Sequence, residues 1–173
     1  GDVLAMMPEA RLSTAGEFED IQEGTYSFLK KAGVPIYIIK IRGDYLASPK
    51  WGNGLRRNSY IEAEIDTLLT KEQVDSLSIE EIKDIIEREM YYNDFEWLKA
   101  HPELKYKSKT LAEGLENILV RCPKCGGVHS IRTKKRRVYC EKCDLSLTLN
   151  DRYEFEENQY FKTFAEWYKF QWD

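Results

Sequence analysis

Four cysteines and two histidines are the residues in this chain best suited to do chemistry, and the cysteines fall in a pattern. Cys122-Pro-Lys-Cys125 and Cys140-Glu-Lys-Cys143 repeat the spacing C-x2-C, with fourteen residues between the pairs. A structural zinc ion wants four soft ligands at tetrahedral corners, each about 2.3 Å away when they are thiolates. Two tight turns supply two sulfurs apiece, and Gly126 and Gly127 permit the left-handed backbone that such a turn needs. Residues 128–133 and 137–139 are β-branched and aromatic enough to be the strands of a hairpin between the pairs. Residues 145–149, Leu-Ser-Leu-Thr-Leu, alternate as a third strand. The spacing predicts a zinc ribbon with Cys122, Cys125, Cys140 and Cys143 as ligands. A disulfide framework would need an export signal, and a thioredoxin-like redox pair would need a single C-x2-C at a strand-to-helix turn. Four cysteines leave no open coordination position, so the expected zinc is structural. His129 lies in strand-like sequence between the pairs and reads as an ordinary strand residue. Lys134-Lys135-Arg136-Arg137 forms the expected hairpin tip. It could meet phosphates of nucleic acid or anionic lipid, but a hairpin turn is polar in any case, and the solvated turn is preferred.

Composition bounds what surrounds the cysteines. The chain has 173 residues, 42% hydrophobic, 13% aromatic and 32% charged, which excludes a disordered tail or a fibrous repeat. Its longest uncharged apolar run, residues 34–39, falls far short of the ~20 residues that cross a bilayer. A net charge of −4 excludes a polycation built to coat nucleic acid. The sequence begins at Gly1 with no initiator Met, basic leader or cleavable apolar stretch of its own, and we expect a chain cut from a longer protein. Gly24, Gly33 and Gly43 form no dinucleotide fingerprint.

The remaining elements are read from periodicity. Residues 3–7 are a short apolar run ended by Pro8, expected as a buried strand. A short helix over residues 25–31, stopped by Gly33, leads into the β-branched run 34–41, expected as a strand buried on both faces of a mostly parallel sheet. Strand, helix, strand predicts a βαβ unit. A 49–54 loop, Pro-Lys-Trp-Gly-Asn-Gly, is followed by strict alternation over residues 60–66, a strand near a sheet edge. Capping-box patterns at Thr70/Gln73, Ser78/Glu81 and Thr110/Glu113 predict a helical middle third. Ile79, Ile82, Ile86 and Met90 form one apolar stripe, and Leu111, Leu115, Ile118 and Leu119 another. Aromatics at three- and four-residue intervals over residues 160–172 predict a helix, docked on the protein in preference to a membrane interface.

Met6-Met7-Pro8-Glu9-Ala10-Arg11-Leu12-Ser13 resembles the third sequence block of the glycerophosphate acyltransferase family, Phe-Pro-Glu-Gly-Thr-Arg-Ser. Lys31-Ala32-Gly33-Val34-Pro35-Ile36 resembles the fourth block in order and separation. An appended ribbon and aromatic segment resemble a bacterial branch of 1-acyl-sn-glycerol-3-phosphate acyltransferases. Pro8, Glu9 and Ser13 match the third block. Ala10 stands at its Gly, Arg11 at its Thr and Leu12 at its Arg, so the arginine has moved by one position. The resemblance implies that Pro8, Glu9, Arg11 and Ser13 help bind the acceptor's phosphate, a task that suits the planar fork of Arg. It also implies a catalytic His with an Asp five residues on. Here Tyr106 follows His101 and Lys134 follows His129 at that offset, so neither histidine is the base and this chain supplies no catalytic residue.

The expectation is an α/β fold. Residues 1–69 are the C-terminal part of an acyltransferase-like domain with a partial mixed sheet. Residues 70–119 are a helical segment, 120–150 the zinc ribbon and 151–173 an aromatic-rich helix. The resemblance implies a fragment of an enzyme that moves an acyl chain from acyl-CoA or acyl-carrier protein to a (lyso)glycerophosphate acceptor. The parent would be cytoplasmic, with peripheral contact at the inner face of the membrane left open, and nucleic acid is disfavoured as a partner. The alternatives are a zinc-ribbon module that binds nucleic acid or protein, and an inactive scaffold assembled through the ribbon.

Overall fold

In the computed structural model, which describes residues 2–52, 60–157 and 159–172, two helices begin where the sequence caps them. Thr70 Oγ1 accepts from the Gln73 amide and Gln73 returns a bond to the Thr70 amide, opening α3 (Lys71–Ser76). Ser78 and Glu81 do the same for α4 (Ile79–Met90). Such caps are worth about 1 kcal/mol each. The α4 stripe buries Ile82 and Ile86. Helix α1 (Gly24–Ala32) ends at Gly33, whose φ is 59°. Tyr26 of α1 is buried beside α4, its hydroxyl donating to Glu87 at 2.8 Å. These helices enclose a small core of Ile21, Tyr26, Leu69, Val74, Ile82 and Ile86.

Strand β1 (Ile36–Arg42) does not enter a parallel sheet. It pairs antiparallel with β2 (Glu62–Leu69) in a two-stranded ribbon, Ile39 opposite Ile65 and Ile41 opposite Ala63. Among the described residues the expected βαβ unit and mixed sheet are replaced by two separate antiparallel sheets. Alternation puts Tyr37, Ile39, Ile41, Ala63, Ile65 and Thr67 on one face, and all six are exposed. From the other face Lys40 reaches Glu89 of α4 at 3.0 Å. An unbroken apolar run reads as a doubly covered strand, but among the described residues only one face is covered. Residues 3–7 form no strand either: Val3 is 94%, Leu4 70% and Met7 82% exposed. No described strand pairs with them, so their backbone gains no ladder.

Beyond β1 a short helix, α2 (Asp44–Ala47), and a turn closed by the Gly52 amide on Pro49 O at 3.0 Å lead away from the ribbon. Asn53 and Gly54 of the expected 49–54 loop lie outside the described residues. Helix α5 (Asp94–Ala100) starts at Asn93, whose side chain accepts from the amides of Phe95 and Glu96. The Thr110/Glu113 pattern does not open an α-helix. Residues 109–114 are turns followed by a 3-10 turn, Leu115–Asn117. The Glu113 carboxylate that would have closed the box accepts from the Lys135 amide at 2.8 Å instead. Leu111, Leu115 and Leu119 are still fully buried, as their spacing requires, and Ile118 packs against the same core.

The second sheet is β3 (Ile131–Lys134), β4 (Arg137–Cys140) and β5 (Ser146–Thr148), antiparallel throughout. Helix α6 (Phe164–Phe170), capped by Thr163, is shorter than the aromatic pattern implies and docks on the protein. Phe164 and Trp167 are fully buried, and the Trp167 indole donates to Arg121 O at 2.8 Å. The Gln171 side chain accepts from the Val120 and Arg121 amides and donates to Ile118 O. One large core runs from Ala15 and Leu46 through Phe95, Leu115 and Val138 to Trp167, so all four sequence segments share it. Among the described residues no helix is long and apolar enough to cross a membrane.

Candidate functional site

The first cysteine pair sits on a turn closed by two backbone bonds. The Cys122 amide donates to Gly127 O at 2.9 Å and the Gly126 amide to Cys122 O at 3.0 Å. Gly126 has φ 69°, the left-handed conformation the turn requires. The second pair starts at the end of β4, where the Cys140 amide donates to Leu145 O and the Lys142 amide reaches Cys140 Sγ at 3.4 Å. Pairing of β3 with β4 brings the two turns together.

The four sulfurs lie within 4.8 Å of one another. Cys122 and Cys143 are 3.7 Å apart, and Cys125 and Cys140 3.8 Å. A disulfide would bring a pair to about 2.05 Å. A tetrahedron with metal–sulfur bonds of about 2.3 Å has edges of about 3.8 Å, so this sulfur set fits one metal ion. Cys122 and Cys140 are buried, Cys143 is half-buried and Cys125 is exposed. Burial pushes the Cys122 thiol up to about 12. Burial acts the same way on Cys140, but Ser130 and the Lys142 amide outweigh it and hold that thiol down at about 6. Ser130, 3.3 Å from Cys140 Sγ, is a supporting residue that the spacing did not single out.

Neither histidine joins the cluster. His129 is exposed, sits in a turn with φ 54°, and donates its amide to Val120 O at 2.7 Å, so it is not a strand residue. The His101 ring packs on Trp97, with Nδ1 2.8 Å from Trp97 O at the end of α5.

Pro8, Glu9, Arg11 and Ser13 come together along one groove of about 340 Å3, which β1 and the end of α4 also line. A turn closed by the Ala10 amide on Met7 O at 3.0 Å carries the loop, and Ala10 has φ 54°. Glu9 accepts from the Glu19 amide at 2.9 Å, and Arg11 Nε pairs with the Glu19 carboxylate. Ser13 Oγ accepts from the Gly16 and Glu17 amides, each at 2.9 Å, and so closes the loop from inside. Burial raises the Glu9 carboxyl, and burial followed by the Glu9 charge pushes Tyr92 up to about 12. Lys40, Arg42 and Lys50 also line the groove, whereas neither histidine does.

Comparison with family models, with curated proteins and with solved structures returns no match. What the site can do has to be read from its own residues.

Proposed function

We propose that this chain is the C-terminal part of an acyltransferase acting on a glycerophosphate acceptor, and that its four cysteines hold a structural zinc ion. The observation that carries this reading is the turn of residues 8–11. Its Ala10 takes a left-handed backbone, the conformation natural to glycine, at the position where the acyltransferase block has Gly. The same turn presents Arg11 and Glu9 to a groove that Lys40, Arg42 and Lys50 line together with Asp44, Glu89 and Asp94. With Lys40 and Arg42 engaged by Glu89 and Glu64, the phosphate contact in this reading falls to Arg11. The open face of the β1–β2 ribbon supports the reading from a second direction. Tyr37, Ile39, Ile41 and Ile65 lie bare where a larger α/β domain would lay further elements over its sheet.

In this reading Arg11 binds phosphate through the guanidinium nitrogens that its Nε contact with Glu19 leaves available, and the Glu9–Glu19 contact fixes the loop. The acceptor hydroxyl attacks the thioester carbonyl, its proton passes to a base, and the thiolate leaves and is protonated. The base is a His-x4-Asp pair on a segment preceding Gly1 in the parent protein. The zinc ion would be held by Cys122, Cys125, Cys140 and Cys143 and would clamp the two turns, with no part in the reaction. A lysophosphatidate acceptor would bring the parent to the cytoplasmic membrane surface.

The test uses the protein encoded by the whole gene, assayed with acyl-CoA or acyl-carrier protein and lysophosphatidate. We expect turnover, zinc at one ion per chain, and in Arg11→Ala a KM for acceptor raised roughly tenfold or more, the equivalent of ~1.4 kcal/mol. Cys140→Ser should lose the metal. A gene that lacks an upstream His-x4-Asp, or Arg11→Ala kinetics unchanged in both KM and kcat, would sink the acyltransferase reading. A fully folded protein without metal would sink the zinc assignment.

A further inference from the structure

The hairpin tip keeps Lys134, Lys135 and Arg137 exposed, as a solvated turn does. Together with the 107–109 loop it walls a cleft of about 1040 Å3, lined by Lys107, Ser108, Lys109, Lys134, Lys135, Arg136, Arg137, Tyr139 and Asp151. The lining therefore carries six cations and one carboxylate. That carboxylate is already engaged, Asp151 with Arg136 at 2.6 Å. No described acid pairs with the ammonium groups of Lys107, Lys109, Lys134 or Lys135, and among the described residues the Arg137 guanidinium meets the Ser146 hydroxyl, at 2.8 Å. In a chain of net charge −4, this is a local excess of positive charge.

The cleft is also held in shape. Lys135 has φ 59°, a conformation that costs a lysine energy and persists only where its surroundings over-determine it. Here the Glu113 carboxylate takes its amide at 2.8 Å and the Ala112 amide takes its carbonyl at 2.9 Å. Arg136 is tied to Leu149 O at 2.9 Å. The turn that presents the cations is thus anchored on both sides before any ligand arrives.

Shape narrows the choice of anion. The site is open to solvent, and none of its nine lining residues is buried. A nucleic-acid strand needs a groove that follows several nucleotides. The volume lies just above the usual range for small-ligand sites, roughly 300–1,000 Å3, and the site offers one aromatic ring, Tyr139, beside the cations. Several phosphate-binding groups next to one stacking surface match a nucleotide with more than one phosphate. We propose that the ribbon's basic cleft binds a nucleoside polyphosphate, either a free nucleotide or the nucleotide end of a coenzyme. This goes beyond the acyltransferase reading and does not depend on it.

Calorimetric titration of the chain, zinc-loaded and at low salt, tests this with adenosine diphosphate, coenzyme A and inorganic pyrophosphate as separate ligands. A short oligothymidylate and phosphatidylglycerol vesicles are the competing probes. We expect saturable nucleotide binding that weakens roughly tenfold or more in Lys107→Gln/Lys109→Gln/Lys134→Gln. None of those three side chains ties the turn, so unchanged zinc content should confirm that the fold is kept. Tyr139→Leu should weaken adenosine diphosphate several-fold and leave pyrophosphate unmoved. Coenzyme A binding roughly tenfold tighter than adenosine diphosphate would identify the coenzyme as the source, and equal affinity the free nucleotide. No saturable binding, or binding that the triple variant leaves intact, overturns the proposal. So does tighter binding of oligothymidylate or vesicles, which would make the cleft a nucleic-acid or membrane surface.

Discussion

Gly114 has φ 104°, and a methyl group on its Cα would lie 1.9 Å from Trp51 O, a backbone atom and not the end of a flexible side chain. Gly114→Ala should therefore cost about 3 kcal/mol or more, read as a fall in the urea midpoint, because strain and overlap add. A loss under about 1 kcal/mol would show that the Trp51 turn yields. Ala10 is the converse case, a side chain in a left-handed position where glycine is at ease. Ala10→Gly should leave stability unchanged or raise it by up to about 1 kcal/mol. A clear loss would mean that the Ala10 methyl makes a packing contact worth more than the strain.

Among the elements, α2 and α5 meet through a single carboxylate. Asp94 is almost wholly buried and accepts from the Gly43 amide at 3.0 Å and the Leu46 amide at 3.4 Å, so it holds the start of α2 against α5. Burial raises its carboxyl above the ordinary value of 3.8, and the amides of Gly43, Leu46 and Tyr45 only partly offset that. The folded state thus binds this proton more tightly than the unfolded chain does. Asp94's contribution falls as pH climbs from about 3.8 through the raised value and is flat above it. Asp94→Asn should be less stable than the parent by about 1–2 kcal/mol at neutral pH, and the gap should widen in acid. A gap that narrows in acid would show that the ionised form is the one the site favours. Elements set by local chemistry were legible in the sequence. The caps at Thr70 and Ser78, the stop at Gly33 and the cysteine turns all draw their partners from within a few residues. What escaped was set by distant partners. Glu113 looked like the closing acid of a capping box but bonds Lys135, and Lys107 and Lys109 join the hairpin tip only once the chain has folded back. Along the 8–13 loop the residue types were readable, but the claim of Glu19 on Arg11 was not.

For the molecule as a whole, the bare face of the β1–β2 ribbon is the largest departure from a self-contained protein. Tyr37, Ile39, Ile41 and Ile65 are exposed side by side, a patch of the kind that draws partners or aggregates. Ile39→Thr with Ile65→Thr should reduce the binding of a hydrophobic dye and any self-association. It should change unfolding free energy by less than about 0.5 kcal/mol, since neither side chain leaves a core. A loss above about 1.5 kcal/mol would show that the face is covered in solution by the chain itself.

The fastening of α6 to the entry of the ribbon bears on the order in which the chain can become a protein. Synthesis proceeds from the N-terminus, yet Trp167 completes the large core, and the Gln171 side chain holds the Val120 and Arg121 amides just ahead of the first cysteine turn. A nascent chain that has already released all four cysteines still lacks that brace. On the ribosome the four sulfurs are thus free to gather before they have a floor to rest on, and residues 163–171, which lock that floor down, emerge after them.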